Sequence, residues 1–81
     1  MTLTWDLAAN TVTGTCMPHA RYGIGVTYGG GGTFFGSRTN AQGSTGAVNL
    51  SPSHTLASGD HVSLTCARAS GDRFRIEKEV P

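Results

Sequence analysis

At 81 residues, with 37% apolar, 14% charged and 7% aromatic side chains and a formal net charge of +1, the chain has room for one domain, residues 1–81, and one small core. The near-neutral balance excludes the self-repelling composition of a disordered tail and the basic excess expected of a nucleic-acid binder, so no nucleic-acid partner is expected. No run of about 18 apolar residues is present, so no membrane partner is expected, and the opening MTLTWDLAANTV lacks the basic and apolar regions of a signal peptide.

Alternation with period two dominates the chain. Leu3, Trp5 and Leu7 alternate with Thr2, Thr4 and Asp6. Past the turn-like AAN, Val12, Gly14 and Cys16 share one side and Thr11, Thr13 and Thr15 the other. Tyr22, Ile24, Val26 and Tyr28 form the next apolar row; the glycine run Gly29–Gly32 reads as a flexible hairpin tip, and TFFGSR (Thr33–Arg38) as a weaker strand. Val48 and Leu50 follow, then Val62, Leu64 and Cys66, then Phe74 and Ile76, with Val80 extending the last row. Turn clusters separate these runs, and nowhere do apolar residues recur at helical spacing. An all-β fold is expected, either an antiparallel sandwich or a small barrel, each strand with one wet and one dry face.

A domain this small buries only about 60% of its unfolded surface and needs further support. Cys16 and Cys66 both fall on the dry side, as a disulfide or as two buried thiols. A bridge would close a loop of about 50 residues, worth on the order of 4 kcal/mol. The missing export signal weighs against it, since disulfides persist mainly outside the cytosol.

The other chemistry-bearing residues read as structural. Cys16 and His19, with His61 and Cys66, are zinc-ligand types. His61 and Cys66 are an odd number of positions apart in one strand, however, and point to opposite faces, so no metal and no cofactor is expected. His54, His61, Asp60 and Asp72 lack a nucleophile in a strained elbow, so no catalysis is expected. YGGGGTFFG lacks the Lys-Ser/Thr and helix of a phosphate loop. Arg68, Arg73, Arg75 and Lys78 cluster late, but acids sit among them, and Arg73, Arg75, Glu77 and Glu79 read as one outward, ion-paired strand face. Phe34 and Phe35 are adjacent, so one points in and the other out unless both are covered by a loop; an outward Phe beside the glycine tip would anchor a partner.

From Val12 to Gly71 the order of signals is specific: TVTGTC, MPHA, an alternating strand, then TNAQGSTG, then AVNLSP, then HTLASGDHVSLTC. It resembles the bacterial immunoglobulin-like domains found in tandem on surface proteins. The matching positions are Gly14, Thr15 and Pro18; Thr39 and Gly43; Val48, Leu50 and Pro52; and Leu56, Gly59, Asp60, Val62 and Leu64. Asn40 stands where the family carries an acidic residue, so a calcium-linked role is not carried over. The resemblance implies an immunoglobulin-like antiparallel β-sandwich of about seven strands, acting as a non-enzymatic structural or binding module. With the Met1 start and no export signal, the expected setting is the virion surface: a phage accessory protein, decorating a capsid or tail, whose partners are other virion proteins or further copies of itself. The alternative is one repeat of an extracellular bacterial adhesin or stalk, binding protein or carbohydrate. Candidate interface residues are Trp5, Phe34, Phe35, Arg73 and Arg75, with the first and last segments as natural edges.

Overall fold

Each alternating run is a strand, and the strands stack dry face to dry face. The computed structural model describes residues 1–51 and 53–81. Its seven strands are β1 (Thr2–Asp6), β2 (Thr11–Thr15), β3 (Arg21–Tyr28), β4 (Gly31–Arg38), β5 (Val48–Asn49), β6 (His61–Ala67) and β7 (Arg73–Glu79). They form two antiparallel sheets, a three-stranded one in the order β1-β2-β5 and a four-stranded one in the order β4-β3-β6-β7. The result is a β-sandwich; no helix occurs among the described residues.

The core lies between the sheets. Leu3 and Val12 come from the smaller sheet and Ile24, Val26, Val62, Leu64 and Cys66 from the larger, with Leu50, Leu56 and Val80 closing one end. Fully burying each such aliphatic side chain is worth about 1.5–3 kcal/mol. Gly14 sits on the same dry side and faces Leu64; a Cβ built there would lie 2.5 Å from Leu64 Cδ2. The glycine thus makes the space that the leucine fills.

Cys16, just past β2, and Cys66 in β6 form a disulfide between the two sheets, with Cα atoms 6.6 Å apart. The loops are tied by side chains. Asn40 Oδ1 accepts bonds from the amides of Gln42 and Ser44, both at 2.9 Å, and Gly43 adopts φ +79°, the left-handed conformation that turn requires. Buried Thr39 donates to the Met17 carbonyl (2.7 Å) and accepts from the Ala20 amide (2.8 Å), anchoring the loop before β3 to the end of β4.

Several expectations are corrected. Leu7 is half exposed, because β1 ends at Asp6 and the chain turns before the dry row continues. Phe74 has inward parity opposite Cys66 but is 42% exposed, since it sits on edge strand β7. TFFGSR belongs to an eight-residue strand, and the glycine tip is shorter than expected: Gly31 and Gly32 pair with Tyr28 and Thr27, which leaves Gly29 and Gly30 as the turn. Cross-strand partners on β3 override the low strand propensity of glycine there. Pro52, one of the positions carrying the family resemblance, lies outside the described residues.

Candidate functional site

Register builds the outer face of the four-stranded sheet row by row. At one end Arg38 lies opposite Arg21, Arg21 opposite Ala67, and Ala67 opposite Arg73. The next row is Gly36, Gly23, Thr65 and Arg75; then Phe34, Gly25, Ser63 and Glu77; then Gly32, Thr27, His61 and Glu79. Glycine, serine and threonine in the middle keep the floor low. The Phe34 ring lies over Gly23, so closely that a Cβ at Gly23 would collide with it. An aromatic covering a strand glycine shields the exposed backbone, yet Phe34 remains 71% exposed.

The charges on this face are segregated. The five arginines of the chain are Arg21, Arg38, Arg68, Arg73 and Arg75. Four of them, all except Arg75, line with His19 a depression of about 370 Å³ at one end of the sheet. Among the described residues, no carboxylate lies within 4.0 Å of these four. Arg68 is held in place by Nε donating to Met17 Sδ (3.0 Å), with its guanidinium 5.5 Å from the Phe74 ring centroid. Arg75 pairs with Glu77 at 3.1 Å, and His61 with Glu79 at 3.3 Å, toward the other end. Like charges placed directly across a strand pair are destabilising. The opposed Arg21 and Arg38 are therefore unfavourable for the isolated sheet and suited to a carboxylate, which a guanidinium grips with two parallel bonds.

Three of the sequence-derived interface residues, Phe34, Arg73 and Arg75, lie on this face. Phe35 and Trp5 do not: both point inward and pack, half buried, against the core. Arg21 and Arg38 stand far from the late cluster of basic residues in the chain, and spacing alone does not join them to it. The sequence leaves four glycines for the turn, and the fold narrows it to two. A two-residue Gly29-Gly30 hairpin fixes register, and counting outward from it sets Arg21 against Arg38.

The other titratable cluster lies at the opposite end and is structural. His54 stacks on Tyr28 (centroids 3.8 Å apart, planes 5° apart), and its Nε2 is 2.6 Å from Asp60 Oδ2. Asn10, in the left-handed region at φ 56°, donates to Ser51 Oγ and the His54 carbonyl and accepts from the Leu56 amide, pinning the β1–β2 turn to the chain before β6. The hydrogen bond from His54 holds the Asp60 carboxyl below its usual 3.8; burial opposes this, and the Ala57 amide adds to the lowering. A depressed native value means that the unfolded chain takes up its proton first as pH falls. The contribution is present above about pH 4 and is lost as pH drops through the native value. Asp60→Asn is expected to flatten the stability profile as pH falls below about 5, read as urea midpoints; an equal acid loss in both proteins would assign the sensitivity to other carboxylates.

Cys16 and Cys66 are consumed by their bridge, and no group of three His, Cys, Asp or Glu side chains suited to a metal occurs among the described residues. No helix among them is long and apolar enough to cross a membrane. No protein-family model, curated protein or solved structure matches this chain.

Proposed function

We propose that this chain is a non-enzymatic binding module of immunoglobulin-like fold that works by protein–protein contact through the outer face of its four-stranded sheet, as a phage virion accessory protein on capsid or tail subunits. The observation that carries the docking face is the juxtaposition of exposed Phe34 with Arg21 and Arg38, which face each other without a carboxylate. A largely exposed aromatic that lines one shallow depression with two arginines has the composition of an interface anchor. The partner would offer an apolar recess and carboxylates. The immunoglobulin-like reading is supported by strand order: β1-β2-β5 and β4-β3-β6-β7 correspond to A-B-E and C′-C-F-G, with the cystine joining the B and F positions.

Phe34→Ala tests the face. Its stability cost is expected to stay below about 1 kcal/mol, the scale of a cross-strand side-chain pair. Binding to assembled shells, measured by co-sedimentation, is expected to weaken by roughly 30-fold, the loss of one hot-spot side chain. Shell binding that is unchanged in the variant would remove Phe34 from the interface, and failure of the wild type to bind shells would end the virion reading. One observation favours a second setting. The Cys16–Cys66 cystine suits an oxidising compartment, as for a repeat of an extracellular adhesin or stalk. Binding to glycans or host-surface proteins without binding to shells would select it.

A further inference from the structure

We infer that β7 pairs antiparallel with the β7 of a second copy of this chain, with Ile76 opposite Ile76, joining the two four-stranded sheets into one. This goes beyond the docking face and does not rest on it. β7 is an edge strand, bonded to β6 on one side only. Alternate backbone N–H and C=O groups along such an edge point away from the sheet and are free to pair. Its outward side chains, in order, are Arg73, Arg75, Glu77 and Glu79, all exposed.

That order of signs is antisymmetric about Ile76. In an antiparallel pair centred there, Arg73 meets Glu79 of the second copy, Arg75 meets Glu77, and the two reciprocal pairs follow by symmetry. Opposite charges directly across a strand pair stabilise it. A shift of the centre to Arg75 sets Arg75 against itself, and a shift to Glu77 sets Glu77 against itself. Parallel pairing in register sets every charge against its like. Charged edges ordinarily discourage association; here each shifted register sets at least one like pair together, and the register centred on Ile76 makes every outward pair opposite in sign.

The inner side of the strand is compatible with this register. Phe74, 42% exposed, comes opposite Lys78 of the second copy and gains cover along the lysine stem. Lys78 Nζ already donates to the Leu3 carbonyl at 3.2 Å, which holds its charge against β1 and away from the pairing edge. The contact between Arg75 and Glu77 within one strand joins side chains that are 62% and 53% exposed. It is readily exchanged for the cross-strand pairs.

Light scattering coupled to size exclusion tests this on three proteins: the wild type, R73E/R75E and E77R/E79R. The wild type is expected to form a concentration-dependent dimer that weakens roughly tenfold between about 50 and 500 mM salt. Each double variant alone, with four like charges on the edge, is expected to be monomeric. An equimolar mixture of the two is expected to recover a heterodimer, because every pair is again opposite in sign. Circular dichroism confirms folding, and R75E mixed with E77R gives the same crossed rescue if a double variant does not fold. A monomeric wild type, variants that dimerise alone, or a folded mixture that stays monomeric would overturn the pairing. A monomeric wild type that still docks on shells would overturn it and leave the docking face standing.

Discussion

Reduction of the Cys16–Cys66 bridge is expected to lower the thermal midpoint by about 20 °C. The bridge spans 50 positions. In the chain-entropy view, opening a loop of that size returns on the order of 4 kcal/mol of disorder to the unfolded state. For domains of this length each kcal/mol moves the midpoint by roughly 4–8 °C. The effect is large because the core is small, and because the bridge joins β6 to the end of β2, adding a covalent link between the two sheets. Calorimetry with and without reductant, with thiols counted in the same samples, checks it. Reduction is cleaner than replacement by alanine, since Cys66 is fully buried and its truncation would add a cavity. An unchanged midpoint with both thiols free would show that the sheets hold together without the bridge.

Leu64→Ala is expected to cost about 3–4 kcal/mol, a large share of the stability of a small domain. Leu64 is fully buried at the centre of β6 and fills the space over Gly14 on the facing sheet. Glycine has no side chain with which to relax into the void, so the cavity stays open. Gly14→Ala is expected to cost about 1–3 kcal/mol for the opposite reason, as its methyl group meets the leucine. Combining the two should be less harmful than their sum, because each change makes room for or fills the other. Urea titration of the four proteins measures that coupling. Strict additivity would mean that the two residues do not share the contact on which this part of the core depends.

The acid-sensitive Asp60–His54 pair, the Phe34 anchor and the β7 pairing differ from these two effects in kind. Phe34 and the β7 charges are exposed and contribute little to folding, so their removal should be visible mainly in association.

Periodicity alone determined much of this fold. A strand sends successive side chains to opposite faces, so Leu3, Val12, Ile24, Val26, Val62 and Leu64 could be placed inside from spacing. The same parity separated Phe34 from Phe35 without deciding which of them faced out. Parity is a local property, which is why it was legible. It failed where strand ends and edges intervened: at Leu7, past the end of β1, and at Phe74, inward by parity but on the open edge. It was also outweighed at Gly31 and Gly32, which looked like loop and became strand because β3 offered partners.

Tertiary structure alone decided which distant residues meet. Asn10 reads as a turn residue in the sequence, and only the folded chain brings Ser51, His54 and Leu56 to its side chain. Whether two inward cysteines meet depends on how the sheets stack, which no single strand encodes. Arg21, Arg38, Arg68 and Arg73 belong to three hairpin arms and a turn, and only the sheet order β4-β3-β6-β7 brings them to one end of one face. Side-chain direction is fixed by neighbouring bonds along the chain, whereas adjacency across a sheet is fixed by strand pairing; the first can be read from spacing and the second needs the assembled fold.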